Sequence, residues 1–246
     1  MERITIRAFR AIDEPKLCET YLAEHERVLS DIGVLSAFPA DASWTRDPST
    51  IVVVAFHKEL GMVAGVRLQT TGTDHVLPIE HYLYPLDRKI RGSLALLQPH
   101  GNAEMCGLWN AHRFAGRGVP FLLISAATAI SNQLPLNSLV CLAAEYMVPK
   151  CVEIGFRIME DIGEKGAFQF PVPSIRSYPM VLSDIRVLSA VKSDLRQRML
   201  SLRICPDQCR KELPKHTALD VRYDLLLDPL REEFKQIARE RKRYAA

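Results

Sequence analysis

Neither charge sign dominates this 246-residue chain: 32 lysines and arginines against 29 acidic side chains leave a formal net charge of +3. That small excess does not by itself argue for a nucleic-acid partner, whose binders gather basic residues on one face. Here they are spread along the chain, with a concentration only at Arg239 to Arg243, which reads as a solvated helix end. No run of about eighteen apolar residues occurs, so no membrane-spanning helix is expected. Met1-Glu2-Arg3-Ile4-Thr5 is strand-like and too polar for a signal sequence, and the expected location is cytoplasmic. The P-loop and the three-glycine dinucleotide fingerprint are both missing. Six cysteines are present, yet Cys106 and Cys141 sit in apolar runs as small hydrophobes, so reduced thiols are expected. Cys205, Cys209 and His216 form the one metal-like grouping, at a spacing that matches no common zinc pattern.

With 48% apolar and 25% charged residues, the chain has room for one large domain or a domain with an appendage. Apolar positions at helical spacing predict an amphipathic helix over Asp13 to Leu29. Residues 51–57 (IVVVAFH) and 62–68 (MVAGVRL), separated by a turn ending in Gly61, predict an antiparallel hairpin. Further on, helices are expected over Arg88 to Leu97, Phe121 to Asn132 and Ala144 to Ile154, the last broken or shortened by Pro149 and capped by Gly155. Strands are expected over Met105 to Ala111, Ser138 to Ala143, Phe156 to Ile162 and residues 178–183. From about Ser189 onward the sequence is polar and reads as helical, with a last helix over Leu225 to Ala246.

The most informative stretch is Arg113-Phe114-Ala115-Gly116-Arg117-Gly118, an R-x-x-G-x-G pattern between a strand-like run and an apolar helix-like run. Glycines let the backbone approach a ligand and take positive φ. The helix N-terminus that follows presents unpaired N–H groups to an anion. Pro120 suits a first helical turn. A loop of this kind can wrap a pyrophosphate, with the N–H groups of Gly116, Arg117 and Gly118 on phosphate and Arg113 or Arg117 adding charge.

The order strand, R-x-x-G-x-G loop, helix, strand, helix, Gly155-Phe156, strand resembles the GNAT acyltransferase superfamily. Several further pieces resemble its acyl-homoserine-lactone synthase and N-acyl amino acid synthase branch: His25-Glu26-Arg27-Val28-Leu29, Ala64-Gly65-Val66-Arg67-Leu68, Leu77-Pro78-Ile79-Glu80 and Glu104-Met105-Cys106. The resemblance spans roughly residues 15 to 185. It implies an α/β (α+β) fold, with a mixed, mostly antiparallel central sheet flanked by helices over residues 1–188. Residues 189–246 would form a helical C-terminal extension packed on the same domain. Two positions depart from the branch: Gly107 stands where an arginine is usual, and Cys151 where GNAT enzymes often carry a tyrosine.

The resemblance further implies an N-acyltransferase. It would move an acyl group from a phosphopantetheine thioester, acyl-CoA or acyl carrier protein, to an amine of a small-molecule acceptor. The backbone amides of Leu108, Trp109 and Asn110, in a strand splayed from its neighbour, would polarise the thioester carbonyl. Glu104 is the candidate base, with an ordinary carboxylate pKa that burial would raise; the competing role is an ion pair with Arg67. His112 is a rival base. Tyr146 or Cys151 would protonate the leaving thiolate, or else pack. Trp109 would line an acyl tunnel or fill the core, and Glu80 is equally a plain loop carboxylate.

Two further function classes stay open at this point. One is a catalytically weakened acyl-CoA-binding or regulatory module, which Gly107 and Cys151 both permit. The other is a nucleic-acid or protein-interaction role for the basic C-terminal segment. Carrier docking would use Arg88, Lys89 and Arg91 or that segment. No metal is expected, and a homodimer contact through the last residues is compatible with the sequence.

Overall fold

The computed structural model describes residues 2–38, 41–70 and 76–227. Ten strands join in one sheet. β1 (Glu2–Arg10), the paired β2 (Ile51–His57) and β3 (Gly61–Thr70), and β4 (Asn102–Asn110) form its middle. β5 (Ser138–Ala144) continues it, followed by β8 (Arg176–Leu182) with the two-residue β6 (Arg157–Ile158) and β7 (Phe168–Gln169) on its far side. At the other edge β10 (Leu219–Asp224) lies parallel to β1, and β9 (Asp207–Glu212) closes the sheet antiparallel to β10. All pairings are antiparallel except β1 with β10 and β4 with β5.

Helices cover both faces. α4 (Val119–Ile130) is apolar all round and buried along nearly its whole length, packed between the sheet and α6 (Ser193–Ile204), as an all-apolar helix must be. On the opposite face α1 (Pro15–Asp31) sets Tyr21 against Trp44 and Trp109 in a second, aromatic core. α2 (Pro78–Leu83) and α3 (Lys89–Leu97) bury Ile79, Leu83, Ile90 and Leu94 in a third. α5 (Val148–Glu153) begins with Pro149 in its first turn, so the proline shortens this helix instead of kinking a longer one.

Two expectations fail. Residues 156–162 do not run on as one strand: only Arg157 and Ile158 pair with β8, after which Met159 and Ile162 turn into the α2–α3 core. The segment after 188 is not all helical. α6 forms as expected, but β9 and β10 then extend the main sheet. β9 (DQCRKE) misleads because it is an edge strand whose only buried residue is Glu212, and charged edge strands carry no apolar alternation. The last helix over Leu225 to Ala246 lies, beyond residue 227, outside the described residues.

Candidate active site

β4 pairs with β5 only from Asn102 to Glu104; beyond that point β5 stays with β8 while β4 leaves it. Parallel strands that part in this way leave backbone groups unpaired at the opening. The gap enters a cavity of about 590 Å³, lined on β3 and β4 by Arg67, Gln69, Glu104 and Leu108 and on the far side by Cys141 and Cys151. No helix among the described residues is long and apolar enough to cross a membrane.

Glu104 sits at the fork. Its carboxylate is 3% exposed, and Oε2 accepts the N–H of Ile79 at 2.7 Å. Ile79 lies in the first turn of α2, where N–H groups lack helical partners, so Glu104 caps this helix from the sheet. Pro78 at the helix start and Leu77 before it thereby acquire a reason. Burial pushes the Glu104 carboxyl up to about 7, against the lowering pull of the Ile79 N–H and of Arg67. The expected alternative, a direct ion pair with Arg67, does not form: among the described residues no cation lies within 4.0 Å of the Glu104 carboxylate.

Across the cavity, Cys141 on β5 and Cys151 on α5 both line it, and both are buried. Each thiol acts on the other, lowering Cys151 below the ordinary range and raising Cys141 well above it. Tyr146 lines the mouth of the same cavity on the short turn before α5, 81% exposed. Cys151 therefore faces the gap from inside and Tyr146 from its rim.

The glycine loop follows β4 directly. His112 to Phe114 make one 3₁₀ turn, and Gly118 (φ 76°) is the left-handed N-cap of α4, with Pro120 in its first turn. Among the described residues the amides of Gly116, Arg117 and Gly118 donate to no backbone carbonyl. The two arginines are otherwise engaged. Arg113 donates to both carboxylate oxygens of Glu24, at 2.9 and 3.1 Å, and to the carbonyls of Leu60 and Met62. Arg117 forms a two-pronged pair with Glu2 and covers the Phe114 ring. Both side chains clamp the loop to α1, β1 and the β2–β3 turn. The connection between β9 and β10 also reaches the loop: a Cβ on Gly118 would lie 2.9 Å from Pro214 Cβ.

Not every residue singled out in the sequence lines the cavity. Trp109 points to the opposite face, 2% exposed against Tyr21, so its side chain fills the core. Asn110 bonds the Ala111 carbonyl outside the cavity. His112 is exposed beside the loop, also outside it. Glu80 pairs with Arg91 at 2.7 Å. Cys205 ends α6 and Cys209 lies on β9, both exposed, and among the described residues no three such side chains gather in a metal-holding group.

Other lining residues carried weaker signals in the sequence. His25, on the α1 face toward the cavity, is held neutral, its pKa lowered to about 4 by burial and by Arg67. Trp44 comes from a short 3₁₀ turn with no periodicity to mark it. Gln69 lies two residues beyond Arg67 on the same face of β3, opposite Glu104 in register.

A splayed parallel pair with a glycine loop at the end of the inner strand is a fold that this chain shares with solved structures of acyltransferases. FeeM, an N-acyl amino acid synthase from uncultured soil microbes, matches 80% of this chain and 99% of its own at 11% identity and a TM-score of 0.57. The acyl-homoserine-lactone synthase LasI covers 77% of this chain and 93% of its own, at 11% identity and TM-score 0.57. MesI, a CoA-dependent acyl-homoserine lactone synthase, covers 82% and 95%, at 15% and 0.51. No family model and no curated protein matches the sequence.

Proposed function

We propose that this protein is an N-acyltransferase that passes an acyl group from a phosphopantetheine thioester to the amine of a small-molecule acceptor. The observation that carries this reading is the fork between β4 and β5, where a buried carboxylate and a buried thiol pair face one cavity at the strand that leads into the glycine loop. The acyl thioester would lie in the fork, its carbonyl oxygen on the backbone amides of β4 from Leu108, and its acyl chain among the apolar side chains of Met105, Ile124, Ala143, Met147 and Phe156. Glu104 would take a proton from the acceptor ammonium, which must be neutral to attack. The amine nitrogen bonds to the carbonyl carbon, the carbon–sulfur bond breaks, and the departing thiolate receives a proton from Cys151 or Tyr146. A lowered thiol pKa suits Cys151 to donate to a more basic alkyl thiolate.

Acyl-CoA is the donor we favour, because the free amides of Gly116 to Gly118 and the start of α4 suit a pyrophosphate, and a carrier-borne pantetheine brings one phosphate only. With Arg113 and Arg117 held by Glu24 and Glu2, the amides would carry most of that contact. Thermal denaturation with acyl-CoAs from acetyl to palmitoyl tests the assignment, since a ligand of the folded state raises Tm. The expected result is a rise that grows with chain length up to the capacity of the cavity and disappears in Gly116→Glu. An unchanged Tm with every acyl-CoA would remove CoA as donor.

A further inference from the structure

The free edge of the sheet on one side is β9, beyond which no strand lies among the described residues. Its inward side chains are engaged. Gln208 donates to the carbonyls of Ser201 and Cys205 at the end of α6, and Arg198 and Arg210 flank the buried carboxylate of Glu212. The alternate residues, Asp207, Cys209 and Lys211, face solvent.

Those outward residues are unmatched within the chain. Asp207 and Lys211 enter no ion pair among the described residues, and Cys209 is a free thiol. Across the ladder Asp207 stands opposite Asp224, a like charge that disfavours the pair, and Asp224 turns to Arg7 at 3.9 Å. Two large apolar side chains are left in water at the ends of the strand: Ile204, 81% exposed, precedes it and Leu213, 60% exposed, follows it. In chain order the edge therefore offers apolar, acid, thiol, base, apolar.

That order is its own complement when reversed. A two-fold axis normal to the sheet lays a second β9 antiparallel beside the first, with facing residues on the same side of the sheet. Centred on Cys209, the axis sets Asp207 against the partner's Lys211 and Lys211 against the partner's Asp207. It also sets Leu213 against the partner's Cys205, next to the partner's Ile204. Centring on Arg210 would oppose two guanidinium groups, and centring on Gln208 would leave both charges without a complement, so the charges select one register.

We propose that this protein forms a homodimer through β9, edge to edge and antiparallel about Cys209, which joins two ten-stranded sheets into one. The partner strand takes up the outward N–H and C=O groups of the edge, and the charges that repel other strands admit this one alignment of this one chain. The fork lies on the other half of the sheet and no residue of β9 lines its cavity, so pairing at this edge does not cover it.

Sedimentation equilibrium of the full chain under reducing conditions tests the proposal. The expected result is a reversible dimer in the micromolar range. Asp207→Lys, which sets lysine against lysine twice, should weaken it by about 10-fold or more, and adding Lys211→Asp should restore it, because the swap rebuilds both pairs. Both positions are exposed, so the melting temperatures of these variants should match that of the wild-type protein. Register is read separately by treating Cys205→Ser with diamide: two thiols pass their hydrogens to the reagent, which is reduced to the hydrazine, and a sulfur–sulfur bond forms. A Cys209 to Cys209 link between copies is expected, since facing strand residues stand about 4.5–5.5 Å apart at Cα and a disulfide spans about 4.4–6.8 Å. A protein that stays monomeric across that range would overturn the proposal. So would a dimer that Asp207→Lys leaves unchanged, a swap that fails to restore it, or a dimer whose Cys209 thiols do not link.

Discussion

Glu104 shows best how one residue joins fold and chemistry. The same oxygen pair caps α2 and faces the fork, and burial brings the carboxyl to about 7. A base must be deprotonated to act, so kcat/KM should rise with pH through a limb near 7 and level off above it; Glu104→Gln should lose the limb and fall in rate by about 100-fold or more. Stability has the opposite sign. The folded carboxyl holds a proton that the unfolded one has released between its ordinary value and about 7, so stability declines with rising pH across that window, and Glu104→Gln should flatten the decline. The strand that carries Glu104 was legible from the sequence, whereas the burial of its carboxyl entered only as a condition for a raised pKa. Its lack of an ion pair was not legible, because Arg67 is turned toward Trp44 and Gly107 by contacts that come from three separate elements. Trp109 was undecidable for a similar reason: on a strand next to a bulge, alternation alone does not fix which face a side chain takes.

Among elements, the glycine loop and α4 were the clearest in sequence, because glycines, a proline and an apolar run fall in fixed order. What tied them to the rest was hidden. Arg113 and Arg117, which read as ligands for phosphate, serve as clamps to Glu24 and Glu2, distant in sequence. The β9–β10 hairpin was missed as a whole, although Leu219, Val221 and Tyr223 alternate inward as a strand requires. Its Pro214 rests against Gly118, which links the hairpin to the loop. Gly118→Val should therefore displace both, costing about 1–3 kcal/mol of stability and raising hydrogen exchange over residues 207–224 as well as at the loop. Protection of the hairpin unchanged in that variant would show the two to be independent.

At the scale of the whole molecule, the sheet carries two jobs on its two halves. β1, β2 and β3, extended by β9 and β10, form a continuous platform, while β5 and β8 form a second, and β4 belongs to the first along its length and to the second only at its start. The cavity opens because β4 leaves β5, so its mouth is set by backbone pairing. General fold class was readable from motif order, whereas the fork was readable only through resemblance, since a parting of strands leaves no mark in composition. The most direct measurement is product balance in a single reaction mixture: acyl-CoA of the length that most raises Tm, pooled amino acids and their amines, with free CoA and amide quantified together. The account predicts equimolar amide and free CoA, and a strongly reduced rate in Glu104→Gln. Free CoA without amide, or bound acyl-CoA left unconsumed, would contradict it.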